Sequence, residues 1–302
     1  MNRNKLQLSV GISPVKKIAL VISILGIGTA TAFAADLAPR PYTKAPPPPP
    51  VAAYNWTGFY IGASGGYGWN QGSNVALSSV PVTPAGADVG LAIGAANAIP
   101  TALSTQPKGF LAGGEIGYNY QWQQWVLGVE ADFSGANISG SANANAVAPV
   151  PFQIFTFSAN GSAASEQKLD FFGTLRARLG YTVTDRFLIY GTGGLAYAHA
   201  ESNTTTGDLP INVIIGPAAG AATGMLAGWT AGAGFEWAFA PSWSFKTEYL
   251  YYDLGSLNYA LSPNAVSTCC TVQEGFVNTT ASATFRGNIV RVGVNYKFGG
   301  AP

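Results

Sequence analysis

The sequence predicts an all-β protein: an eight-stranded antiparallel transmembrane up-and-down β-barrel with short periplasmic turns and four long extracellular loops. Three observations carry this. Eight segments alternate apolar and polar residues with the period of two that belongs to strands. The connections between them alternate short and long, as in a membrane barrel. An export-like segment opens a chain of 302 residues in which 48% are apolar and 10% charged, well below the roughly 25% charged of soluble domains.

At the N-terminus, Arg3, Lys5, Lys16 and Lys17 precede the apolar run from Ile18 to Ile27, and small residues lead to Ala32-Phe33-Ala34. This reads as a signal peptide over residues 1–35, cut after Ala34 or Ala35. An anchoring helix is the weaker reading, because Thr29 and Thr31 end the run early. Removing residues 1–35 takes away four positive charges and no negative ones, moving the formal net charge from +1 to −3. A negative chain argues against nucleic acid as a partner. Residues 36–53 include five consecutive prolines and read as a stiff periplasmic spacer. The barrel domain is expected over residues 54–302.

The strand segments follow in order. Phe59, Ile61, Ala63, Tyr67 and Trp69 share one face of the first, and Phe110, Ala112, Ile116, Tyr118 and Tyr120 one face of the second. Trp125, Leu127, Val129, Ala131 and Phe133 mark the third. Leu169, Phe171, Leu175, Ala177, Leu179 and Tyr181 mark the fourth. The fifth runs through Phe187, Ile189, Leu195 and Tyr197. The sixth presents Trp229, Ala231, Ala233, Phe235, Trp237 and Phe239, and the seventh Trp243, Phe245, Thr247, Tyr249 and Tyr251. Val290, Val292, Val294, Tyr296 and Phe298 make the eighth. Each is long enough for the roughly 9 to 11 residues with which a tilted strand crosses hydrocarbon.

Short links fall at residues 122–124, 183–186 and 240–242, and long ones at about 70–109, 135–165, 199–227 and 255–284. Three short turns and four long connections place both chain ends on the short-turn side, the periplasm. Phe152, Ile154, Phe155 and Phe157, and the run Ile211 to Ile215, are apolar stretches in the long connections. They are candidate contact surfaces, or strand ends that lengthen the barrel. Aromatic residues gather at both ends of nearly every strand, as expected at two lipid headgroup levels.

The opposite strand faces collect the charges: Glu115, Glu130, Asp132, Asp170, Glu236 and Glu248 against Arg176, Arg178, Lys246, Arg291 and Lys297. Facing lipid at mid-membrane, each base would cost about 2–4 kcal/mol. Inside a narrow barrel the groups can pair, and eight strands leave an interior just wide enough for side chains. The expectation is a salt-bridged plug. Gly62, Ser64, Gly66, Gly113, Gly117, Gly128, Gly232 and Gly234 share that inner face and make room for the long basic stems.

No enzyme is expected. The chain has one histidine, His199, at the start of a long connection, and no Ser-His-Asp arrangement or metal-ligand spacing accompanies it. No cofactor and no metal site are read from the sequence. The glycine clusters lack the strand-to-helix setting of a nucleotide fingerprint. Cys269 and Cys270 are adjacent in the last long connection. In an oxidising exterior, a vicinal disulfide and pairing with other molecules are both open to them.

Several segments carry a resemblance. Asn55-Trp-Thr-Gly-Phe-Tyr-Ile-Gly62, Gly128-Val-Glu-Ala-Asp132, Leu175-Arg-Ala-Arg-Leu-Gly180, Tyr190-Gly-Thr-Gly-Gly-Leu-Ala-Tyr197, Lys246-Thr-Glu-Tyr-Leu-Tyr-Tyr-Asp253 and Arg291-Val-Gly-Val-Asn-Tyr-Lys-Phe298 resemble the small outer-membrane β-barrel proteins of alphaproteobacteria. These are the Omp25/RopB-like, or Omp31-like, group, related in architecture to the membrane domain of OmpA. The resemblance spans about residues 54–298 and implies a Gram-negative outer-membrane protein with a role in envelope integrity and surface contact. Its implied partners are outer-membrane lipid and lipopolysaccharide, the barrel-assembly machinery, and host or environmental surface ligands. A small porin, and a haem-binding or adhesive protein acting through the loops, are the alternatives the resemblance leaves open. Phe298 resembles the terminal aromatic read during assembly, with four residues after it.

Overall fold

The computed structural model describes residues 54–70, 75–152, 155–208, 213–268 and 275–299. The signal segment, the proline-rich spacer and the Cys269–Cys270 pair lie outside the described residues.

Among the described residues the chain forms β1 (Gly58–Asn70), β2 (Val75–Val82), α1 (Val89–Ala98), β3 (Ala102–Leu103), β4 (Lys108–Trp122), β5 (Trp125–Phe152) and β6 (Phe155–Thr184). It continues with β7 (Phe187–Asp208), β8 (Val213–Ile215), β9 (Ala218–Ala240), β10 (Trp243–Ala260), β11 (Asn264–Thr268) and β12 (Gly275–Lys297). Eight of the strands pair in the order β1-β4-β5-β6-β7-β9-β10-β12, and β12 returns to β1. The closing register aligns Ala63 with Val294 and Tyr67 with Val290, and the Phe298 N–H donates to the Phe59 carbonyl at 2.8 Å. The ring has no free edge at that height, so its backbone groups are satisfied between neighbours, as a non-aqueous surround requires.

The pleat sorts the side chains. Ile116 is 56% exposed while its neighbour Glu115 is 5% exposed, and Val129 at 57% stands beside Glu130 at 1%. Apolar residues therefore form the outer wall and charges the interior, the reverse of a soluble barrel. The outer wall carries the aromatic pairs Trp125–Tyr181 and Trp243–Tyr296 near the short turns, and Phe133–Phe171 and Trp229–Tyr251 towards the other rim. No helix among the described residues is long and apolar enough to cross a membrane.

The short links are tight. Trp122 pairs with Trp125 across a turn in which Gln123 adopts φ 56°. Beyond the other rim, the segments expected as long loops are largely strand. β5 and β6 stay paired up to Phe152 opposite Phe155, and β12 extends upward to pair with β2 over Phe276–Ala283. β11 joins the same end of β12, with β8 beside it. Small and β-branched residues keep the alternation going above the membrane part, which favours continued pairing over irregular loop.

One element falls outside the period-two pattern. Asp88 caps α1, accepting from the Gly90 N–H at 2.7 Å and the Leu91 N–H at 3.3 Å. The helix packs against β2, β5, β6 and β12, with Leu91, Ala95 and Ala98 buried. Its approach to β5 depends on Gly94, where a Cβ would overlap Val150. The sequence signal was the Asp88 cap alone, since Gly90, Gly94 and the β-branched Val89 and Ile93 in the run that follows do not announce a helix.

Two bulges reset the alternation. At Asp170 the register between β6 and β7 shifts, so Leu169 turns inward and is buried while Phe171 and Leu175 stay on the outer face. This corrects the expectation that Leu169 shares the lipid side of its strand. An extra residue in one strand exchanges the two faces beyond it. A second shift in β10 falls between Asp253 and Ser256 and includes Gly255 at φ +81°.

Candidate functional site

The interior of the ring is built in layers. Towards the short turns, Trp56, Val126, Leu188, Tyr190 and Ala238 form an apolar cluster. The Trp56 backbone N–H donates to Gln121 Oε1 at 2.8 Å, and its indole Nε1 donates to the Asp185 carbonyl at 3.2 Å. Beyond the charged middle, Leu111, Ile138, Leu169, Phe172, Leu250, Tyr252, Phe285 and Ile289 belong to a second buried apolar cluster that continues to α1.

Between the two lies an ion-pair network. Alternation on β4, β5, β6, β9, β10 and β12 directs Glu115, Glu130, Asp132, Arg176, Arg178, Glu236, Lys246, Glu248 and Arg291 inward, all buried. Arg176 pairs with Glu130, with Glu248 at 2.7 Å and with Asp132 at 3.2 Å. Arg291 reaches Glu248 at 2.7 Å and Asp132 at 2.9 Å. Lys246 lies 2.5 Å from Glu115 and donates to both oxygens of Glu130 at 3.1 Å. Arg178 pairs with Glu236 at 2.9 Å and Glu130 at 3.3 Å. Glu130 is the hub, touched by all four cations. Buried carboxylates are costly unless paired and hydrogen-bonded, and here each has a cationic partner.

Neutral side chains complete the network. Tyr60 donates its hydroxyl to Glu130 at 2.7 Å and accepts from Arg178 at 2.9 Å. The Arg178 guanidinium lies 3.9 Å from the Tyr190 ring centroid, and the Tyr190 hydroxyl donates to Glu248 at 3.2 Å. Thr174 donates to Asp132 and accepts from Arg176, while Ser244 and Asn295 donate to Glu236. Sequence reading missed these five. Tyr60, Thr174, Ser244 and Asn295 lie at even spacing from a charged residue or inward glycine already singled out, and Tyr190 lies at odd spacing from the outward Phe187 and Ile189, so parity alone would have found them. Space is allotted by glycine: a Cβ on Gly117 would overlap the Tyr60 ring.

Two residues expected in the network stand elsewhere. Asp170 is carried outward by the β6 bulge and pairs with Lys168 at 2.5 Å and with His199 at 3.1 Å. Lys297 is buried two residues beyond Asn295, at the end of β12, and forms no ion pair with a carboxylate among the described residues. Its ammonium donates to the Asn55 carbonyl and sits 4.4 Å from the Tyr54 ring centroid. Burial, then the Glu236 charge, pushes the Tyr54 hydroxyl up to about 12. Among the described residues the network is thus five carboxylates and four cations.

A closed ring with an apolar outer wall, two aromatic belts and a charged core defines a small integral outer-membrane β-barrel protein. The family model for the outer membrane protein beta-barrel domain matches residues 22–298, and the chain belongs to that family, within the Omp25/Omp31 type. It is 34% identical over 286 residues to the 31 kDa outer-membrane immunogenic protein of Brucella melitensis, covering 93% of this chain and 100% of that one. It is 27% identical over 284 residues to the 25 kDa outer-membrane immunogenic protein of Brucella abortus, covering 94% and 98%. Among solved structures, the attachment invasion locus protein Ail of Yersinia pestis aligns with 78% of this chain and 99% of its own, at 13% identity and a TM-score of 0.25. The family assignment stands on the family model and the Brucella relatives.

Proposed function

We propose that this outer-membrane protein is a structural, non-conducting barrel that contributes to envelope integrity and carries a rigid surface beyond the membrane. The observation that supports it best is the bond from Lys246 to Glu130, which spans the ring between strands four places apart. A charged layer tied across the lumen, with apolar layers on both sides, offers a hydrated ion no continuous polar path. Truncating one member of such a layer strands a buried charge, so the layer stiffens the wall.

In this reading the short turns face the periplasm and β2, α1, β8 and β11 stand outside. The wall contacts outer-membrane lipid and lipopolysaccharide, and β12, ending near Phe298, is presented to the barrel-assembly machinery. The named Brucella relatives are immunogenic, which accords with an exposed surface. The proposal involves no catalytic step.

Planar-bilayer recording tests it: the folded full chain is expected to give no discrete conductance steps. Reproducible unitary steps from protein free of porin contamination would overturn the closed-barrel reading. A protease added to intact cells should cut the connection between β2 and α1 and spare the turn at Gln123. The opposite pattern would reverse the orientation.

A further inference from the structure

The β6 bulge creates a side-chain cluster that the lumen network does not use. In regular alternation Asp170 would face inward with Phe172, Thr174 and Arg176. The bulge turns it out to meet His199 on β7, which pairs in register with Phe171. Glu201, two residues further along β7, shares the outer face. One ligand atom from each of Asp170, His199 and Glu201 lies within 4.8 Å of the others. Bulges are enriched where a side chain must be re-aimed.

We propose that Asp170, His199 and Glu201 form a divalent transition-metal site on the outer wall, just beyond the aromatic belt marked by Phe171 and Trp229. One imidazole and two carboxylates make a donor set suited to zinc or copper, with water completing the coordination. The surroundings orient the imidazole. Its ring stacks on Phe171 with centroids 6.0 Å apart and planes at 22°, and Nε2 lies 3.2 Å from the Thr223 hydroxyl. In the tautomer that donates Nε2–H to the Thr223 hydroxyl, Nδ1 presents its lone pair beside Asp170 Oδ2, 3.1 Å away, as two ligands of one cation would stand. A bound cation selects this tautomer over the one in which Nδ1–H donates to Asp170. A hydrogen bond on the far imidazole nitrogen is the usual way a metal-ligating histidine is held. Lys168, 2.5 Å from Asp170 Oδ1, supplies positive charge to the same carboxylate and competes with the metal. The side chains of Asp170 and His199 are 32% and 31% exposed, so an ion reaches them from solvent.

Calorimetric titration of zinc ion into the detergent-folded full chain tests the site, with a Cys269→Ser/Cys270→Ser version run in parallel to remove thiol ligands. One equivalent should bind in both backgrounds. His199→Ala and Asp170→Asn should each weaken binding about tenfold or more, and Lys168→Met should strengthen it. Copper-loaded protein should show coupling to one nitrogen in its electron paramagnetic resonance spectrum, lost in His199→Ala. Binding that survives both ligand variants, or vanishes with the cysteines alone, would overturn the proposal. All of these side chains are on the outer surface, and gel migration of unheated samples checks that each variant has folded.

Discussion

Lys246 and Glu130 come from opposite walls of the ring, and the lysine ammonium sits 3.1 Å from both oxygens of the glutamate. β10 and β5 are four strands apart in either direction. The contact therefore measures how narrow the lumen is: two side chains span it.

Lys246→Met is expected to destabilise the folded barrel by about 3–5 kcal/mol, because Glu115 loses its ion-pair partner and Glu130 one of four. Lys297→Met, whose ammonium meets a carbonyl and a ring, should cost clearly less. Denaturant unfolding in lipid vesicles, followed by tryptophan fluorescence, compares the two. Equal losses would contradict the placement of Lys297 outside the network.

Conductance should appear when the layer is thinned. A double Arg178→Ala/Lys246→Ala variant removes the cation beside Tyr60 and Tyr190 and the cross-lumen strut. Bilayer recordings should then show steps that the parent protein lacks. Continued silence in a folded double variant would mean that the apolar layers near Trp56 and Phe172 close the lumen by themselves.

Gly117→Val should displace the Tyr60 ring, at a cost of about 1–3 kcal/mol for overpacking. Combining it with Tyr60→Ser vacates the same space and should return part of the loss. If the double variant is as unstable as the sum of the two single ones, the glycine is not there to admit the tyrosine.

Removing the helix cap by Asp88→Ala should cost α1 about 1 kcal/mol. Gly94→Val should push it away from Val150. Both should quicken proteolysis between residues 83 and 101 while the thermal unfolding of the ring stays unchanged. Loss of the ring along with the helix would show that the two are one cooperative unit.

The fold was largely legible because membrane strands obey a simple local rule. Ile116 and Val129 face outward and Glu115 and Glu130 inward as parity demands, and the short turns at Gln123, Asp185 and Pro241 coincide with breaks in the pattern. Seven of the acids and bases expected at the centre pair with one another around Glu130 and Glu248, and Arg178 extends the set to Glu236. Parity fails where strands do not run evenly. Asp170 and Leu169 exchange faces because β6 carries one residue more than β7 between paired positions.

The amino-acid sequence alone determined that eight strands make the ring, where its short turns fall and, the stretch around the β6 bulge excepted, which strand face meets lipid. These follow from the residues within about ten positions, since side-chain direction alternates along any one strand. The tertiary structure decided the rest. Which base meets which acid across the lumen depends on the relative heights of strands far apart in sequence. Whether Asp170 joins the core or stands beside His199 depends on how β6 matches its neighbours. Lys246 reaches Glu130 only because the ring closes, and closure is a property of all eight strands together.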